Sequence, residues 1–147
     1  MKITLCGSMV FFDGMLECKR LLEEQGHEVR MPPTHVEDDH GNKVPVKEYH
    51  KIRHESDASK TWVWEEKEKA MRDHFDKVSW ADSILVLNYD KKSVSGYVGA
   101  NTLIEMGLAL HLGKKIFLLK EIPELSYKEE ILGMKPEIID GDLKKIK

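Results

Sequence analysis

Residues 78–119 read VSWADSILVLNYDKKSVSGYVGANTLIEMGLALHLGKKIFLL. Within them, Ser83–Leu87 is a short apolar run of strand length, apolar enough to be covered on both faces. A polar loop bearing glycines, residues 88–100, separates it from Asn101–Leu112, a strongly apolar helical pattern closed by Gly113. Lys115–Leu119 then supplies a further strand. Strand, loop, helix and strand in this order make a crossover unit, which is right-handed in nearly all parallel sheets.

The N-terminal side repeats the rhythm. Ile3–Cys6 is an apolar strand entering a tight turn at Gly7-Ser8. Met15, Leu16, Cys18, Leu21 and Leu22 keep helical spacing up to Gly26, and His27–Met31 is a second strand stopped by Pro32-Pro33. Residues 34–60 are polar, hold Gly41 and Pro45, and carry His35, His40, His50 and His54. A loop of that length is usually functional or mobile, with a short helix expected around 46–54. Helical order returns over 61–78, with Ser59 as the expected cap and Trp64, Met71, Phe75 and Val78 on one face. A short helix around 127–132 and a last strand at 137–139 complete the pattern. The alternation predicts one α/β domain over residues 1–147: a doubly wound parallel sheet of about five strands.

Composition narrows the function. The chain of 147 residues carries a net charge of −3, with 41% hydrophobic and 33% charged residues. A surface built to neutralise a nucleic-acid backbone is strongly basic, so no nucleic-acid polymer is expected as partner. No apolar stretch reaches the length of a membrane span. The first residues are too short an apolar run for a signal peptide, and two cysteines do not make a disulfide framework, so a reducing cytoplasm is expected.

In doubly wound sheets, ligands bind past the carboxyl ends of the strands. That rule selects the loop after Cys6 (Gly7, Ser8, Met9), the 34–60 segment, and the loop from Asn88 through Gly99 to Asn101. Glycines and helix-start amides there can approach and hold a small anionic ligand, although such glycines also serve turn geometry alone. Glu105 is the only charged residue between Thr102 and Leu110. Near a helix start its ionised form is expected to be favoured, which suits a nucleophile or an electrostatic stabiliser; a solvent-facing glutamate that complements the dipole is the alternative. His50 and His54 have metal-ligand spacing, but no cysteine or His-Glu-x-x-His accompanies them, so no metal is expected. Trp62 and Trp64 could stack a base or simply pack, and Trp80 reads as structural. Lys91-Lys92 reads as a charged loop tip.

Three segments together resemble the nucleoside 2-deoxyribosyltransferase-like family, which includes deoxynucleoside monophosphate N-glycosidases. They are Leu5-Cys6-Gly7-Ser8, Ala81-Asp82 leading into Ser83–Leu87, and Asn101–Ala109 with Glu105 inside x-x-x-Glu-x-Gly-x-Ala. The resemblance spans roughly residues 1–119. It implies a flavodoxin-like fold, no cofactor, a small nucleoside or nucleotide as partner, and a homodimer or higher homo-oligomer. It also implies Glu105 as a nucleophile at the anomeric carbon, with Gly7, Ser8, Gly99 and Asn101 holding the sugar or its 5′-phosphate. Met9 and Asn88, in the same loops, are expected to join them. The family's aspartate that helps protonate the departing base is absent: its position, eight residues before Asp82, holds His74. Histidine can move protons near neutral pH. Gly99–Glu105 also resembles part of the Gly-Gly-x-Gly-Thr-x-x-Glu of lysine-decarboxylase-like phosphoribohydrolases, without its full glycine run. A non-catalytic nucleotide sensor on the same fold, and a docking domain built on the 34–60 segment, are the other readings.

Overall fold

A computed structural model describes all residues, 1–147. Five strands form one parallel sheet: β1 (Lys2–Cys6), β2 (Glu28–Arg30), β5 (Ser83–Val86), β6 (Lys115–Leu118) and β7 (Glu137–Ile138). Their spatial order is β2-β1-β5-β6-β7. The chain winds outward one way from β1 to β2 and the other way from β5 to β7. The order is that of the flavodoxin-like sheet, with its reversal between β1 and β5.

Period-two alternation splits the core into two layers. Ile3, Leu5, Leu85, Leu87 and Phe117 pack with Met15, Cys18 and Leu22 of α1 (Phe12–Glu24). Cys6, Ile84, Val86, Ile116 and Leu118 pack with Val78, Met106 and Ala109. Those last three belong to α3 (Thr61–Trp80) and α4 (Ala100–His111), which therefore cover the opposite face from α1. A short helix, α5 (Lys128–Gly133), adds Ile131 to the second layer. Gly26 closes α1 in the left-handed region (φ 91°), as the sequence predicts.

The 34–60 segment is more ordered than its composition suggests. It holds an antiparallel hairpin, β3 (His35–Glu37) and β4 (Lys43–Pro45), followed by α2 (Val46–Glu55). Asp38 closes the hairpin by accepting the amides of His40 and Asn42 at 2.9 and 2.8 Å. Val44, Tyr49 and Val63 make a small separate core, and the Tyr49 hydroxyl donates to the Val63 carbonyl at 2.6 Å.

Two local expectations are corrected. Ser59 does not cap α3: its hydroxyl donates to Asp57, and Lys60 occupies the cap position. Trp64 does not join the buried face, which is Val63, His74 and Val78; its indole N–H donates to the Asp57 carbonyl at 2.7 Å at the surface.

Candidate active site

A cavity of about 300 Å³ opens at the β1/β5 reversal, where the fold rule places it. Gly7, Ser8 and Met9 form one wall, directly after β1. A Cβ on Gly7 would stand 3.1 Å from the Leu87 carbonyl oxygen and 3.2 Å from Met15 Cε, so only glycine lets the chain turn this close to β5. Opposite, Gly99 precedes α4, and Ala100, Asn101 and Thr102 of its first turn line the cavity. The first amides of a helix have no partner within it and attract negative charge.

Glu105 and His74 lie at the base of this space, each about 5% exposed or less. Glu105 Oε2 accepts from Asn101 Nδ2 at 3.3 Å and lies 3.6 Å from His74 Nε2. The same nitrogen is 3.4 Å from Cys6 Sγ, while His74 Nδ1 is buried without a partner. Burial pushes the Glu105 carboxyl up to about 8, against the pull of the Lys67 ammonium, and drives His74 down to about 4. Cys6 is pushed well above a normal thiol, first by burial and then by Glu105. Burial thus disfavours the charged form of each of the three groups. Glu105 is the sixth residue of α4, past the turn where the dipole acts, and its burial works against the ionised form expected from the sequence; the solvent-facing alternative does not hold.

Cys6, His74 and Glu105 are also the donors the chain could offer a metal ion, their ligand atoms lying within 4.8 Å of one another. Cys6 Sγ and His74 Nε2 are within hydrogen-bond reach of each other, whereas His74 Nε2 and Glu105 Oε2 stand just beyond it.

Most of the expected site residues converge here: Gly7, Ser8, Met9, His74, Gly99, Asn101 and Glu105 all line the cavity. Asn88 does not. It is fully buried, donating to the carbonyls of Gly96, Lys120 and Glu121 at 3.0–3.3 Å and accepting from the Lys120 amide at 2.9 Å. Its role is to clamp the 88–99 loop to the end of β6. Asn88→Ala strips four backbone groups of their partner, and is expected to cost about 2–4 kcal/mol in urea denaturation.

The sequence reading missed Tyr49, Arg53, Lys67 and Tyr97, all of which line the cavity. Helical spacing held the signal. Tyr49, His50, Arg53 and His54 share one face of α2, while Lys67, Met71 and His74 share one face of α3. Trp62 and Trp64, open to either stacking or packing, do not line the cavity, and Trp80 packs structurally under Arg30, whose guanidinium carbon is 3.9 Å from its ring centre. His35 and His40 lie outside the cavity. His50 and His54 are edge to face, 4.4 Å between ring centres, on the α2 wall.

No protein-family model and no curated protein matches the chain. Solved structures do. One is a 2-deoxyribosyltransferase from the psychrotolerant bacterium Bacillus psychrosaccharolyticus, with 18% identity and a TM-score of 0.47, covering 80% of this chain and 71% of that one. Another is a CMP N-glycosidase, BcmB, from Clostridium botulinum, with 18% identity and a TM-score of 0.48, covering 94% of this chain and 85% of that one. The likeness is one of fold.

Proposed function

We propose that the chain cleaves or transfers at the N-glycosidic bond of a nucleoside 5′-phosphate, with Glu105 as nucleophile. The observation that carries this reading is a single buried carboxyl, in contact with a histidine, at the base of a cavity whose other charged walls are cationic. The motif resemblance around Glu105 supports it.

In this reading His74 Nε2 takes the proton of Glu105, an uphill transfer of roughly 5 kcal/mol between a carboxyl at about 8 and an imidazole at about 4, and it makes both the nucleophile and an acid. The carboxylate attacks the anomeric carbon, the C–N bond breaks with its electrons going to the base, and the proton on His74 is delivered to that base. Water then attacks the glycosyl ester, giving a proton to His74 and restoring the carboxylate; an acceptor base in place of water gives transfer. Ser8, the start of α4 and Lys91, whose ammonium donates to Ser8 Oγ at 3.0 Å, would hold the phosphate.

The test is release of free base from a panel of ribo- and deoxyribonucleosides and their phosphates, with and without an acceptor base. Turnover on a phosphorylated member supports the reading, and new nucleoside formed only with acceptor assigns transfer. A nucleotide that binds but is never cleaved favours the sensor instead, a reading motivated by the protonated Glu105 and by histidine in the aspartate position.

Assembly and setting belong to the same proposal. No helix is long and apolar enough to cross a membrane. Ile104, Leu110 and Leu112, on α4 and just after it, are 41–51% exposed, an apolar surface suited to a second copy of the chain. Light scattering is expected to give at least a dimer, and Ile104→Lys to shift it toward monomer. The two free cysteines, both buried, fit a reducing cytoplasm.

A further inference from the structure

The cavity wall holds more positive charge than one phosphate would neutralise. Arg53, Lys67, Lys91 and Lys92 line it, and Glu105 is its only carboxyl. None of the four cations forms an ion pair with a carboxylate; many exposed lysines elsewhere are also unpaired, but Arg53 and Lys67 are not free in solvent as those are. Arg53 and Lys67 are half-buried, and Arg53 Nε is shut off from water with no partner. Charges withdrawn from water are normally paired with an opposite charge; Arg53 has only the Tyr49 ring and His50 beside it, and Lys91 and Lys92 the Tyr97 ring.

These groups converge. Arg53 donates to His50 Nδ1 at 2.9 Å, and Lys67 approaches Asn101 Oδ1 at 3.4 Å. Arg53, His54, Lys91 and Lys67 together hold His50 down to about 4, after burial, and Lys67 itself is lowered to about 8 by burial and by Arg53. Lys91 enters from the other side on a two-residue turn. Lys91 and Val94 pair across it, and Lys92 and Ser93 both sit in the left-handed region, at φ 52° and 61°. Asn-Gly is the usual occupant of such a turn, and Lys-Ser there is strained. Strain of this kind is retained where a side chain must be aimed.

We propose that the cavity takes a diphosphate group, its substrate class being nucleoside 5′-diphosphates and their esters rather than nucleosides or monophosphates. One phosphoryl group lies between Ser8, Lys91 and the start of α4, and the next between Arg53 and Lys67. A monophosphate carries a charge of about −1.5 to −2, which leaves roughly two of the four cations unpaired; the second phosphoryl group adds the missing charge and bridges the two walls. This inference rests on the nucleotide reading above for its nucleoside part, but its anion part stands apart from catalysis.

The experiment is calorimetric titration of the full chain with inorganic phosphate and with pyrophosphate, alongside Arg53→Gln and Lys67→Met. Pyrophosphate is expected to bind at least tenfold more tightly than phosphate, and either variant to remove most of that margin, since losing one charged hydrogen bond lowers affinity by about tenfold or more. Base release is then compared between a nucleoside 5′-monophosphate and the matching diphosphate. Equal affinity for the two anions, binding of neither, or base release that prefers the monophosphate overturns the inference; the last leaves the N-glycosidic reading intact. Pyrophosphate binding without base release from any nucleotide upholds the anion site and removes the catalytic reading.

Discussion

Glu105→Gln is expected to lower base release by about 10⁴-fold or more, the scale of removing a covalent nucleophile, while nucleotide binding persists. The amide keeps the shape of the side chain and its reach to Asn101, but cannot attack carbon. The same variant should stabilise the fold at alkaline pH. Burial raises the Glu105 carboxyl from 4.5 to about 8, so the folded chain holds this proton more tightly than the unfolded chain does. The resulting stability is complete below about pH 4.5 and is lost as pH rises through 8. At pH 9 wild type must bury a carboxylate, and glutamine need not. A higher melting temperature for the variant at pH 9, on the order of 2 kcal/mol in stability and absent at pH 4.5, is the expected result. A variant as active as wild type would remove Glu105 from the chemistry.

His74→Ala comes second, with kcat expected to fall about 10²–10³-fold and KM to change little, because the histidine moves a proton and does not hold the ligand. Its shift has the opposite sign in the stability balance. A histidine lowered from 6.5 to about 4 is buried neutral, so its contribution is present above pH 6.5 and lost as pH falls toward 4. Loss of that acid-side fall in stability, measured by thermal unfolding at pH 4.5 and 7, checks the burial. The pH dependence of kcat checks the proton role. His74→Asp, which restores the side chain expected from the resemblance, should recover part of the rate; recovery no better than with alanine would mean that His74 only packs.

The sheet was legible because apolar runs of strand length alternate with helical spacing, and both signals are local. Glu105 stood out for a similar reason: one charge inside nine otherwise uncharged residues. Its protonation was not legible, since that depends on His74 and Cys6 arriving from α3 and β1 to exclude water. Asn88 shows the reverse failure. A polar residue after a strand has the same sequence signature whether it faces a ligand or ties loops together, and the carbonyls that occupy it lie 32 and 33 residues away. Arg53 and Lys67 were hidden for a third reason: charged residues on amphipathic helices usually face solvent, and only the packing of α2 and α3 around the cavity turns them inward.

The hairpin and α2 unit also bears on how quickly a ligand is captured. Because Val44 and Tyr49 of the segment pack against Val63 of α3, this wall of the cavity is anchored to the rest of the domain before anything arrives. No loop there has to surrender conformational entropy at the moment of encounter. Association is then limited by diffusion and by the field of the lysines at the mouth, so its rate should fall steeply as salt is added while dissociation changes little.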